Sequence, residues 1–76
     1  MKKISLTPIR KKLSSLQINY RAFIFLKKKD RYTIVMTVVL SHMHEDDLDL
    51  IFGILDEDYH IRKISSSPEE YALILK

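Results

Sequence analysis

Apolar and polar positions change period several times along this chain of 76 residues. Ile9, Leu13 and Leu16 recur at i, i+4 and i+7 while Arg10, Lys11 and Lys12 point away, which is the spacing of one helix face. Thr7 suits the cap of such a helix, and Pro8 suits its first turn, where a backbone N–H has no intrahelical partner. The pattern predicts a short helix over 8–16, too short to hold without a surface to pack on.

Strict alternation follows. Ile18, Tyr20, Ala22, Ile24 and Leu26 oppose Asn19, Arg21, Phe23, Phe25 and Lys27; Tyr32, Ile34, Met36, Val38 and Leu40 oppose Thr33, Val35, Thr37, Val39 and Ser41. Both runs are rich in β-branched and aromatic residues and meet at Lys28-Lys29-Asp30-Arg31, so 18–27 and 32–41 are expected to pair as a β-hairpin. The first-named sides are apolar and belong to the core. The second sides are mixed, and Phe23 and Phe25 are expected to bury under Ile9, Leu13 and Leu16, since two uncovered Phe rings favour aggregation.

Over 44–56 the period becomes helical again. Leu48, Ile51, Phe52 and Leu55 form a stripe widened by Leu50 and Ile54, with Glu45, Asp46 and Asp47 at the start, where carboxylates suit the helix dipole. Gly53 inside the stripe suggests a close approach of helix to sheet. Tyr59–Ser65 and Tyr71–Leu75 read as a second hairpin around Ser66–Glu70. The expectation is one small α+β domain over residues 1–76, in the order α-β-β-α-β-β. Its four-stranded, mainly antiparallel sheet packs on one long amphipathic helix, with a short N-terminal helix beside it. Alternation does not determine the strand order.

Size and composition narrow the class. A chain this short has room for one modest core and excludes large enzyme folds. Hydrophobic residues at 46% and charged residues at 30% are globular, not disordered, proportions. With no Cys, disulfides, thiolate metal sites and thiol catalysis are out, and a cytoplasmic, reducing setting is expected. No apolar run is long enough for a membrane span, and no apolar segment with a cleavage site follows Met1–Lys3, so neither membrane nor secretory signal is expected.

Charge is segregated. Ten Lys or Arg face Asp30 alone within residues 1–32, whereas residues 42–58 hold seven acids and no Lys or Arg. Each block is either the solvated side of its own element, or a docking surface, or the two meet.

The string Ser41-His42-Met43-His44-Glu45-Asp46-Asp47 resembles the H-x-H-x-D-H metal signature of the metallo-β-lactamase superfamily at His42, His44 and Asp46. The resemblance implies imidazole and carboxylate ligands for zinc at a strand end. The final His of that pattern is Asp47 here, the chain is under half the length of that fold, and His60 is its one other imidazole. The string is therefore read as strand end, helix cap and acid-rich first turn, with no metal expected.

Arg21-Ala22-Phe23-Ile24-Phe25 is similar to the core of the RNA-recognition-motif signature, without its glycines and without that fold's strand order. Cations interleaved with rings suit single-stranded nucleic acid, whose bases stack while its phosphates pair. The leading expectation is a non-enzymatic nucleic-acid-binding or transcription-associated module, for DNA or RNA. Phosphate contacts are assigned to Lys11, Lys12, Arg21, Lys27, Lys28, Lys29 and Arg31, with Lys2, Lys3 and Arg10 adding to the basic cluster and Phe23 stacking. The alternative is a protein-interaction or inhibitor module docking through Glu45, Asp46, Asp47 and Asp49. No Gly-rich loop or nucleophile arrangement is present, so neither an enzyme nor a cofactor is expected. Small size, absent Cys and segregated charge also fit accessory proteins of phages or mobile elements. Opposed charge blocks favour a homodimer over a monomer, through the strand edge at Tyr71–Lys76 or through the face bearing Phe23, Phe25, Val35 and Val39.

Overall fold

The computed structural model describes residues 5–17 and 19–76, His42 by its backbone only; Lys2, Lys3 and Ile18 lie outside the described residues. The chain folds as helix α1 (Leu6–Ser14), strands β1 (Ile24–Lys28) and β2 (Thr33–Val38), helix α2 (Glu45–Leu55), and strands β3 (Tyr59–Ser66) and β4 (Glu69–Leu75). The expected α-β-β-α-β-β order holds, and two 3₁₀ turns, Tyr20–Ala22 and Leu40–His42, are added.

Helix α1 begins two residues earlier than Thr7-Pro8 suggests. Ser5 is its cap, accepting from the Thr7 N–H at 3.3 Å. Pro8 falls third in the helix, still inside the first turn, where its missing N–H removes no hydrogen bond. The helix ends with Ser14 and Ser15 donating to the carbonyls of Arg10 and Lys12, at 2.8 and 2.6 Å. Gln17 (φ 55°) then takes the left-handed conformation that redirects the chain.

The expected first hairpin forms but is shorter at both ends. Its ladder runs from Ile24 opposite Val38 to Lys28 opposite Ile34. Residues 20–22 are a 3₁₀ turn instead of strand because the chain must descend from the helix layer to an edge strand. The turn buries Tyr20 in the core, and the Phe23 carbonyl still accepts from the Val39 N–H at 2.7 Å. At the other end the Leu40–His42 turn lifts the chain back toward α2, leaving Leu40 44% exposed; Tyr32, at the hairpin tip, is 48% exposed. Neither is in the core, contrary to the alternation. The tip is an Asx turn: Asp30 Oδ1 accepts from the Tyr32 N–H at 2.8 Å, and Lys29 N–H donates to the Thr33 carbonyl at 2.9 Å. The hydrogen bond from the Tyr32 N–H holds the Asp30 carboxyl below its ordinary pKa.

The strand order is β1-β2-β4-β3, with every ladder antiparallel. Strands β2 and β3 therefore run parallel with β4 inserted between them, and α2 is the crossover that joins them. This corrects the expectation of an edge at Tyr71–Lys76, because β4 lies inside the sheet. The edges are β1, five residues long and carrying Lys27 and Lys28, and β3, which carries His60, Arg62 and Lys63 and is bulged between Lys63 and Ser65. Short length, charge and a bulge all discourage pairing with another strand.

Both helices lie on one side of the sheet. Ile9 and Leu13 of α1, with Ile51 and Leu55 of α2, form one buried cluster with Ile24, Ile34, Met36, Val38, Tyr59, Tyr71 and Leu73. Phe52 meets the Tyr71 ring edge-on at 4.8 Å. The 11 residues of α2 make a helix of ordinary length, not a long one. Since α1 joins α2 in this layer, it does not cover Phe23 and Phe25 as expected. Phe23 is half-buried against the core from the turn before β1, and Phe25 is 57% exposed on the other side of the sheet. Among the described residues no helix is long and apolar enough to cross a membrane.

Gly53 is not needed for close packing, as its sequence position suggests. A β-carbon built there meets nothing within 4 Å, and the residue is exposed. Gly53→Ala therefore removes the backbone-entropy cost of a helical glycine without a clash. It is expected to stabilise the fold by about 0.5–1 kcal/mol, raising the thermal midpoint by several degrees in calorimetry.

Candidate nucleic-acid interface

Alternation and register define what faces away from the helices. In the cross-strand rows, Phe25 pairs with Thr37, Thr37 with Glu70 and Glu70 with Ser65; Lys27 pairs with Val35, Val35 with Ala72 and Ala72 with Arg62. Thr33, Ile74 and His60 form the next row. None of these residues has a helix over it, because α1 and α2 share the opposite layer. The one carboxylate in these rows is Glu70, and it accepts from Thr37 Oγ1 at 3.2 Å. The methyl of Ala72 separates the larger Val35 and Arg62, so the middle of the face is hollow. Lys27, Lys28, Lys29, Val35, Ile64 and Glu70 line a concavity of about 440 Å³ there. Ile64 reaches it because the β3 bulge falls between Lys63 and Ser65, and it is 45% exposed.

The basic residues named from the sequence separate into three groups. Lys27, Lys28, Lys29 and Arg31 are exposed together along the end of β1 and the hairpin tip, beside this hollow. Arg21 is exposed at the opposite end of β1, its guanidinium 5.8 Å from the centre of the Tyr20 ring, with Nε donating to the phenol oxygen at 3.4 Å. Lys11 is exposed on α1, in the helix layer. Lys12 is engaged with acids, bonded to Asp58 and lying 3.7 Å from Glu57. The basic and acidic blocks thus meet at that point. Phe23 lies outside the strand, so Arg21, Phe23, Phe25 and Lys27 do not form one continuous face; Phe25 and Lys27 do.

The acids lie with the helices. Glu45, Asp46 and Asp47 occupy the first turn of α2, with Asp49 just beyond, and all but half-buried Asp47 are exposed. Negative charge there favours the helix N-terminus. At the other end, where it does not, Lys76 Nζ donates to the Asp56 carbonyl at 2.6 Å and Lys12 binds Asp58. His44 is the exposed N-cap of α2 and makes no side-chain capping bond, while the side chain of His42 is outside the described residues. Among the described residues no three His, Asp or Glu side chains are grouped to hold a metal ion.

Sequence reasoning missed Ile64, Ala72 and Arg62 as members of the face that Lys27 and Val35 share. Their proximity depends on strand order and on a bulge, neither of which alternation encodes. Phe25 was visible as an aromatic between cations, and its exposure follows only from which layer α1 joins.

The tyrosines report on both sides of the molecule. The hydrogen bond from Arg21, with the nearby charge of Arg10, lowers the Tyr20 phenol below its ordinary pKa. Burial raises Tyr59, and burial with the bonded Glu69 carboxylate pushes Tyr71 up to about 12. A raised phenol pKa stabilises the fold fully below the unfolded value near 10, and the contribution is lost as pH climbs toward the folded value. An ultraviolet tyrosinate titration is expected to show Tyr20 ionising before Tyr59 and Tyr71. Tyr71→Phe should remove the last step and lessen the loss of stability above pH 10.

No protein-family model, curated protein or solved structure matches this chain.

Proposed function

We propose that this chain is a small, non-enzymatic module that binds single-stranded nucleic acid across the open face of its sheet, with the basic β1–β2 hairpin as its phosphate clamp. The observation that carries this reading is Phe25. Its ring is 57% exposed on a sheet face without a helix cover, two residues from Lys27 along the same strand. That spacing is about 7 Å at strand rise, comparable to the step between successive nucleotides of an extended strand. A base has a flat surface to stack on, and the phosphates beside it meet Lys27, Lys28, Lys29 and Arg31. Val35 and Ile64, the apolar part of the hollow that Lys27, Lys28, Lys29 and Glu70 also line, accept a second base or the sugar edge. Glu70, the one acid in these cross-strand rows, is bonded to Thr37 and is outnumbered by Lys27, Lys28, Lys29 and Arg31.

Placement of the acids supports the same side of the molecule. The carboxylates of α2 lie in the other layer, where they repel a polyanion from the helices and favour approach to the sheet. Lys12, bonded to Asp58, is left out of the interface, and Phe25 replaces Phe23 as the stacking residue.

A fluorescence-anisotropy titration with labelled oligothymidylate and oligouridylate at low salt tests it. Binding is expected at or below the 100 µM range, with log K falling by about 0.7 per phosphate contact against log salt. Phe25→Ala is expected to weaken binding by about 1–3 kcal/mol while leaving the fold intact, since the ring is mostly in solvent. Absence of binding to any single strand below about 100 µM overturns the proposal. Binding that ignores Phe25 and Lys27–Arg31 overturns it too. Loss of function on reversing Glu45, Asp46, Asp47 and Asp49, with nucleic-acid affinity absent, moves the assignment to a protein-docking role for α2.

A further inference from the structure

A second concavity, of about 370 Å³, opens where α1, the Tyr20–Ala22 turn and the edge strand β1 meet, lined by Arg10, Tyr20, Arg21, Ile24, Phe25 and Leu26. Two guanidinium groups line it beside one phenol oxygen. Among the described residues neither has a carboxylate at ion-pair distance, although Lys12 and Lys63 both find acids. An anion in the hollow is attracted by both cations, and Tyr20 is the side chain they share as a neighbour. Arg21 is also held in place. Its Nε donates to the Tyr20 oxygen at 3.4 Å and its central carbon lies over the Tyr20 ring, 5.8 Å from the centroid, leaving the terminal N–H groups as donors. A guanidinium already ordered loses less entropy when it binds. Phe25 belongs both to this hollow and to the open sheet face, so a ligand crossing the strand passes from one to the other.

We infer that Arg10 and Arg21 form a phosphate-binding site, with the ring of Phe25 as the wall against which the attached base lies. Phosphate suits paired forks better than a carboxylate does, because its several oxygens accept from two guanidinium groups at once. The nucleotide character of the ligand rests on the function proposed above; the phosphate site itself does not. The phosphate has three sources: an internal phosphodiester, a terminal phosphate of a strand, or the free ion.

The wild-type chain is titrated with inorganic phosphate at low ionic strength and followed by nitrogen-15 NMR, against chloride at matched ionic strength. Phosphate, and not chloride, is expected to shift the Arg21 Nε–H and the backbone amides of Tyr20 and Ile24. Anisotropy with terminally phosphorylated and unphosphorylated oligothymidylate then identifies the source. The double variant Arg10→Gln, Arg21→Gln is expected to lose affinity on the order of tenfold and to lower the salt slope by about 0.7. Stronger binding of the phosphorylated strand, abolished in the double variant, assigns a terminal phosphate. Equal binding of both, weakened in the double variant, assigns an internal one. Phosphate shifts without any oligonucleotide binding keep the site and remove the nucleic-acid function. Oligonucleotide binding that needs Phe25, together with no phosphate-specific shift in the wild type, overturns the site and leaves the function standing. The wild-type titration decides the matter even if the double variant fails to fold.

Discussion

Ile34, Met36 and Leu73 are fully buried because α1 and α2 reach the same side of one sheet, Ile9 and Leu13 from the first helix and Ile51 and Leu55 from the second. A chain of this size can assemble one apolar layer contact and little more, since about 40% of the surface of its unfolded form stays in water. With both helices committed to one layer, the other face of the sheet must be wet. Its mixed composition, Thr33, Val35 and Thr37 on β2 and Glu70 and Ile74 on β4, is what a half-exposed face tolerates. Exposure of Phe25 follows from the same geometry, and so does the hollow that Val35 and Ile64 line on that face.

One-sided packing also sorts part of the charge. Hairpin cations project past the sheet and the acids ride on α2, while Arg10, Lys11 and Lys12 of α1 share the helix layer with those acids, so the segregation along the chain is only partly kept in space. Where the blocks touch, at Lys12 with Asp58, the contact joins the end of α1 to the exit of α2. Exposed pairs of this kind add little to stability, but they orient the elements they connect. Lys76 acts on the same exit, its backbone N–H donating to the Asp58 carbonyl at 2.9 Å.

Element type and order were legible in the chain wherever the apolar period was unambiguous: the i, i+4 spacing of Ile9 and Leu13, the alternation through Ile34–Val38, the stripe through Ile51 and Leu55. Element ends were not. Tyr20 alternates with its neighbours as a strand residue does, yet reaches the core from a 3₁₀ turn, because tertiary placement overrides a local pattern once a chain must change layers. Gly53 suggested crowding and stands in open space. For the interface, residue chemistry was readable and juxtaposition was not. Lys27–Arg31 and Phe25 could be singled out as cations and a ring. Arg62 and Ile64 come near them only through β4 and a bulge, and Lys12 left the basic surface through a bond to a residue far along the chain.

The inserted position of β4 has a consequence for the order of assembly. Each hairpin closes a short loop, β1 with β2 and β3 with β4, at small cost in chain entropy. The ladder between β2 and β4 joins them, and its nearest pair, Val38 opposite Glu69, has the whole of α2 and β3 between its members. That non-local closure costs the most chain entropy of the three ladders, and the segment it closes contains α2, which joins the two halves. Until β4 is available, β2 presents its unpaired edge and the apolar row of Ile34, Met36 and Val38 to solvent. The guarded edges of the finished sheet offer no protection during that interval.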